Sequence, residues 1–99
     1  MANFQLAETI IYQMGGFQKL RAFVNARNFT ASDDSLTFKF SGSRKFNHVK
    51  IIYNFGLDLY DVEFIKVHGA NVKRERHEMI YAESLVELFE HETGLFLHF

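Results

Sequence analysis

Apolar residues recur at helical spacing in the first stretch of the chain. Leu6, Ala7, Ile10, Ile11 and Met14 share one side, with Gln5, Glu8 and Tyr12 opposite. A period near 3.6 predicts an amphipathic helix over residues 4–14. Gly15-Gly16 is expected to stop it, because glycine enters the left-handed conformation that side chains disfavour. Phe17, Leu20, Phe23 and Val24 make a second, shorter stripe, with Lys19, Arg21 and Asn25 outside. A helix over about 17–26 follows, forming a corner with the first.

After a turn at Asp33-Asp34-Ser35 the period falls to two. Leu36, Phe38 and Phe40 alternate with Thr37, Lys39 and Ser41, which predicts a half-buried strand. Gly42-Ser43-Arg44-Lys45 is a polar connection. Val49, Ile51 and Tyr53 alternate with Lys50, Ile52 and Asn54 to give a second strand, and Asn54-Phe55-Gly56 turns the chain. A third strand is expected over about 58–67, with Tyr60, Val62 and Phe64 inward and Asp61 and Glu63 outward. Leu57 and Leu59 fall in the opposite phase, which predicts a bulge or an irregular start there. After the loop His68-Gly69-Ala70-Asn71, residues 72–76 are read as a short, charged edge strand.

Helical spacing returns near the end. From about 78 to 92, Tyr81, Ala82, Leu85, Val86, Leu88 and Phe89 cover one arc and Glu83, Glu87, Glu90 and His91 the other. Thr93-Gly94-Leu95 is the expected cap. Glutamates crowding the last turns oppose the helix dipole, so their placement points to something other than helix stability. The predicted fold is α+β: two short N-terminal helices, a three- to four-stranded antiparallel sheet, and a C-terminal amphipathic helix packed on one face. Residues 1–99 are expected to form one domain.

Composition narrows the class. Twelve Phe and an apolar fraction of 47% exclude an intrinsically disordered chain. The absence of Cys excludes disulfides and thiolate metal sites and favours a reducing cytoplasm. The N-terminus carries polar residues throughout and no basic stretch, so no signal peptide is expected, and no apolar run reaches membrane-spanning length. Net charge is −1, but residues 39–76 hold eight Lys/Arg against four Asp/Glu, whereas residues 77–99 hold five Glu and no Lys or Arg. Such polarity suggests an oriented surface.

Several segments together carry a resemblance. They are Glu8-Thr9-Ile10, Gly15-Gly16, Asn28-Phe29, Leu36-Thr37-Phe38-Lys39-Phe40, Asn47 to Ile51, Asp58-Leu59-Tyr60-Asp61-Val62-Glu63-Phe64 and Thr93-Gly94-Leu95. Over residues 8–96 the chain resembles a family of small uncharacterised phage and prophage proteins. Phe17 to Asn25 departs from the Met-Thr-Gly-Ala type of segment found there. The resemblance implies a viral or mobile-element origin, hence the cytoplasm of an infected or lysogenic bacterial host, and assigns no site residue.

Candidate chemistry is sparse. Ser32, Ser35, Ser41, Ser43, Ser84, His68 and His77 lie in no nucleophile-elbow setting, and Gly15-Gly16 lacks the spacing of a phosphate loop. Glu87 and His91, at i and i+4 with His77 further upstream, have a spacing that can share an ion, but the plain reading is a solvated helix face, and no metal ligand or cofactor is assigned. Asp58, Asp61 and Glu63 as paired carboxylates would support acid–base chemistry only inside a pocket. Arg44, Lys45 and Lys50 around the first hairpin and Lys73, Arg74 and Arg76 before the last helix, with Phe46 and Tyr53 nearby, could engage phosphates and stack on bases. Glu83, Glu87, Glu90 and Glu92, with Asp58, Asp61 and Glu63, could instead present carboxylates to a basic protein groove. The apolar tail at 95–99 packs on the core, as an added edge strand, or forms a partner or homodimer patch. The expectation is a non-catalytic protein that binds a host or viral protein, one concrete form being inhibition of a host defence complex. The alternative is a nucleic-acid-binding accessory protein.

Overall fold

The computed structural model describes residues 4–97. Helices α1 (Phe4–Gln13) and α2 (Phe17–Val24) lead into strands β1 (Arg27–Ala31), β2 (Ser35–Lys39), β3 (His48–Asn54), β4 (Leu59–His68) and β5 (Asn71–Ile80). A 3-10 turn at Ala82–Ser84 precedes helix α3 (Leu85–Thr93). The five strands pair in chain order, each antiparallel to the next. The fold class is therefore α+β, as the mixed periodicity predicts.

Gly15 and Gly16, at φ 110° and 101°, make the sharp corner between α1 and α2. Ala7, Ile10 and Met14 from α1, and Leu20 and Val24 from α2, are buried with Leu36 and Phe38 of β2, Val49 and Ile51 of β3, and Tyr60, Val62 and Phe64 of β4. Leu85 and Phe89 of α3 enter the same cluster. Phe89 is its hub, with ring centroids 5.0 Å from Phe40, 6.4 Å from Phe38 and 6.3 Å from Phe64. Tilted and edge-on ring pairs of this kind are favoured over face-to-face stacking. Helices α1, α2 and α3 thus each bury apolar residues against one face of the sheet, although Phe17 and Phe23 of the expected α2 stripe remain exposed.

The sheet has more strands than the three or four expected from the pattern. Strand β1, not expected from the pattern, is short and carries a bulge: its register to β2 shifts between Arg27 and Thr30, and Asn28 sits at φ 57°. Strand β5 is a ten-residue strand, longer than the expected 72–76, and pairs with β4 along its length. The last helix correspondingly begins at Leu85, not near residue 78. Residues 78–80 belong to β5, where Ile80 pairs with Tyr60. The irregular start expected near Leu57 and Leu59 is present: Leu57 lies in the turn and Asp58, just before β4, sits at φ 55°. A further irregularity lies on β5, where Tyr60 to Val62 faces the longer span His77 to Ile80, with Met79 at φ 60° taking up the extra residue. A bulge of this kind bends and twists the edge, which discourages further strand pairing.

Beyond α3, Gly94 adopts the expected left-handed cap, its N–H donating to the Glu90 carbonyl. Leu95 lies over Gly42, where a side chain would crowd it: an added Cβ would stand 3.1 Å from Leu95 Cδ2. The Leu97 N–H donates to Glu90 Oε2 (2.7 Å), and Leu97 is buried. Leu95 and Leu97 therefore fold back on the core without becoming a strand, while the Phe96 ring stays exposed. His98 and Phe99, also part of the expected apolar tail, lie outside the described residues. Among the described residues, no helix is long and apolar enough to cross a membrane.

Candidate interaction surface

Alternation along the strands sends one set of side chains into the core and the other to a face that no helix covers. On β2 and β3 the outward positions include Thr37, Lys39, His48, Lys50 and Ile52; on β4 and β5 they include Asp61, Glu63, Arg74 and Arg76. Strand register places Lys50 beside both Thr37 and Glu63, and Glu63 beside Arg76. Arg74 Nη1 donates to Glu63 Oε1 (2.5 Å), while Arg76 spans Asp61 (3.0 Å) and Glu63 (3.3 Å). Asp61 also accepts the Met79 N–H (3.2 Å), which ties the carboxylate to the bulge. The carboxylates sit low, with side chains 15–16% exposed, under guanidinium groups 45–61% exposed. Along β4 and β5 the outermost groups are therefore cationic, held in fixed positions by acids beneath them.

On β1, β2 and β3 the face is basic with no acid at the outward strand positions. Arg27 is braced by its hydrogen bonds to the Asn25 carbonyl and Ser41 Oγ (both 2.9 Å), with Lys39 opposite it in register. His48 reports the local field: burial, then the positive charges of Lys39 and Arg27, holds its imidazole below the ordinary 6.5.

The candidate residues thus separate. Lys50, Arg74 and Arg76 share the uncovered face. Lys73 lies on the opposite phase of β5, and Arg44 and Lys45 lie exposed in the β2–β3 connection. Arg74 and Arg76, read from sequence as cations for phosphates, are the ion-pair partners of Asp61 and Glu63, read as carboxylates for a protein groove. Phe46 cannot stack on a base: it is buried, 5.4 Å from Phe64. Tyr53 packs on Phe55 and Tyr60 at the far end of the core face, and its hydroxyl donates to Asp58. No Phe or Tyr ring occupies an outward position of β2, β3, β4 or β5.

The acidic set is divided too. Glu83, Glu87 and Glu90 belong to the segment on the helical side, across the sheet from Asp61 and Glu63. Glu83 and Glu87 are exposed, while Glu90 is engaged by the Leu97 N–H. Glu87 and His91 line a shallow cavity of about 330 Å³ with Ile80, Ser84 and Leu88, but His91 bonds Glu92, not Glu87. His77 sits on β5, not on a helical turn upstream, and also meets Glu92 (3.2 Å). Glu92 itself is buried. Burial pushes its carboxyl up, but hydrogen bonds with His91 and Glu75 and the charge of His77 outweigh this and hold it below the ordinary 4.5.

Sequence reasoning missed Lys39, Arg27 and Glu75. Lys39 was findable, since the phase that buries Phe38 and Phe40 turns it outward. Arg27 and Glu75 were hidden by the unrecognised β1 and by the full length of β5. No family model matches this chain, and no curated protein and no solved structure matches it either.

Proposed function

We propose that the protein is a small non-catalytic accessory protein of phage or mobile-element type, acting in the bacterial cytoplasm, that binds a host or viral protein. The uncovered sheet face is the binding surface, and inhibition of a host defence complex is one form its action would take. The observation that carries this reading is the fixed cross-strand array Arg74–Glu63–Arg76–Asp61. Charges locked in register favour recognition of one complementary surface, here an acidic protein patch, and electrostatic complementarity gives both specificity and a faster encounter. Sequence-tolerant binding to single-stranded nucleic acid draws instead on stacking rings, which the outward positions lack. Asp61 and Glu63, the candidates for a general base, are engaged by arginines on an open strand face, which favours a binding role for them over catalysis.

The basic half of the face, where Arg27 and Lys39 pair with each other in register and Lys50 stands between Thr37 and Glu63, keeps the nucleic-acid reading as the second one. Affinity capture from host lysate with wild type and with Lys39→Glu/Lys50→Glu, alongside anisotropy titrations of labelled oligonucleotides at low and high salt, separates the two. One stoichiometric protein captured by wild type and lost from the variant supports protein binding. Oligonucleotide binding that weakens steeply with salt supports the alternative.

A further inference from the structure

Helix α3 carries a charge pattern that the uncovered face does not explain. Glu90 and Glu92 lie in its C-terminal half, where the free carbonyls already form a negative pole, and residues 77–99 hold no Lys or Arg to offset them. Glu92 is 8% exposed. Facing it, the helix-side phase of β5 supplies Glu75 and His77, two residues apart and so on the same side of the strand. His77 Nε2 stands 3.2 Å from Glu92 Oε1 and 3.4 Å from Glu75 Oε1. One ligating atom from each residue lies within 4.8 Å of the others. The imidazole is braced edge-on against Phe64 at 5.8 Å and 81°. Glu92 Oε2 meets His91 Nδ1 at 2.9 Å.

Hydrogen bonding accounts for only part of this geometry. A single Nε2–H points along one line, and 3.4 Å to the second carboxylate exceeds the usual 2.7–3.2 Å range of N–H···O bonds. Around a tetrahedral ion, bonds of roughly 2.0–2.2 Å leave neighbouring ligands roughly 3.3–3.5 Å apart, close to both spacings seen here. An imidazole nitrogen with two carboxylate oxygens suits zinc better than calcium or magnesium, which take oxygen ligands. A doubly charged cation at this point would offset both carboxylates and sit at the favourable end of the α3 dipole.

We propose that Glu75, His77 and Glu92 form a zinc site that clasps the edge strand β5 to the last turn of α3. His91 orients Glu92 from outside the coordination sphere, as the partners of metal-bound groups commonly do. Water takes the fourth position.

The test uses the full chain, stripped with chelator, in calorimetric titrations with Zn²⁺ and Mg²⁺ and in thermal melts. The site predicts one Zn²⁺ per chain, a raised melting temperature with Zn²⁺ and none with Mg²⁺. His77→Ala and Glu75→Gln each weaken binding by about 100-fold or more and His91→Ala by about tenfold, whereas His68→Ala on the β4–β5 turn leaves it unchanged. Visible absorption of Co²⁺-loaded protein gives a second readout: tetrahedral bands in wild type, lost in Glu75→Gln, whose exposed position tolerates change. No Zn²⁺ binding by wild type, or binding and Co²⁺ bands that survive both His77→Ala and Glu75→Gln, would overturn the site.

Discussion

The two faces of the sheet are built from the same strands by the same alternation, yet they solve different physical problems. On the covered face, Phe38, Phe64 and Phe89 meet ring to ring in a dry cluster to which all the helices contribute. On the uncovered face, Arg74, Arg76, Asp61 and Glu63 meet in water. Burial of large rings is worth kilocalories per residue. Exposed ion pairs are worth roughly 0–1 kcal/mol, because solvent screens them and ordering long side chains costs entropy. One face therefore holds the fold, and the other is free to vary its chemistry for recognition.

The contrast is broken most forcefully from the covered side. Phe89→Ala leaves a void among Phe38, Phe40 and Phe64 and is expected to lower stability by about 3–5 kcal/mol in urea unfolding. A loss under about 1 kcal/mol would mean that α3 is not seated as described.

Glu92 sharpens the comparison, as the charged group buried at the rim of the covered side. Its carboxyl is held below the ordinary 4.5 in the fold, so the unfolded chain takes up its proton first as the solution is acidified. The stability it contributes is present above pH 4.5 and is lost as pH falls through the lower folded value. In metal-free buffer, Glu92→Gln should be less stable than wild type at pH 7, with the difference shrinking towards pH 3. A difference that grows on acidification would refute the assignment.

On the uncovered side effects should be small. Arg76→Ala removes contacts to Asp61 and Glu63, yet Asp61 keeps the Met79 N–H and Glu63 keeps Arg74, so a loss below about 1 kcal/mol is expected. That loss should shrink further at high salt. The smallest effect belongs to His48, whose imidazole is held below 6.5 by burial and by Lys39 and Arg27. Its neutral form is favoured in the fold, so its contribution is present above pH 6.5 and fades below it. His48→Asn should flatten the stability profile between pH 5 and 7, which parallel urea melts will show.

The covered face was legible in the sequence because period-two runs such as Leu36-Phe38-Phe40 and the helical set Leu85-Phe89 announce burial directly. Strand β1 was not, because five residues carry only two apolar positions, Phe29 and Ala31, and the register shift between Arg27 and Thr30 leaves no mark in the sequence. The start of α3 was misplaced because Tyr81 and Ala82 happen to continue the spacing of Leu85, while the cross-strand pairing that claims Ile80 leaves no local trace. The outward phase of Asp61 and Glu63 was legible too. Their arginine partners were not, since meeting Arg74 and Arg76 depends on a two-residue turn at Gly69-Ala70 that sets the register of β5. Charges that appear as separate acidic and basic patches in one dimension become a single ion-paired array in the sheet, with its guanidinium groups outermost.

The most direct test of the division between faces pairs stability with binding in one variant. Lys39→Glu/Lys50→Glu, measured by urea unfolding and by partner capture side by side, should unfold within about 1 kcal/mol of wild type and lose the captured partner. A variant that unfolds several kilocalories earlier, or that folds normally and captures the partner undiminished, would contradict the assignment of stability to one face and recognition to the other.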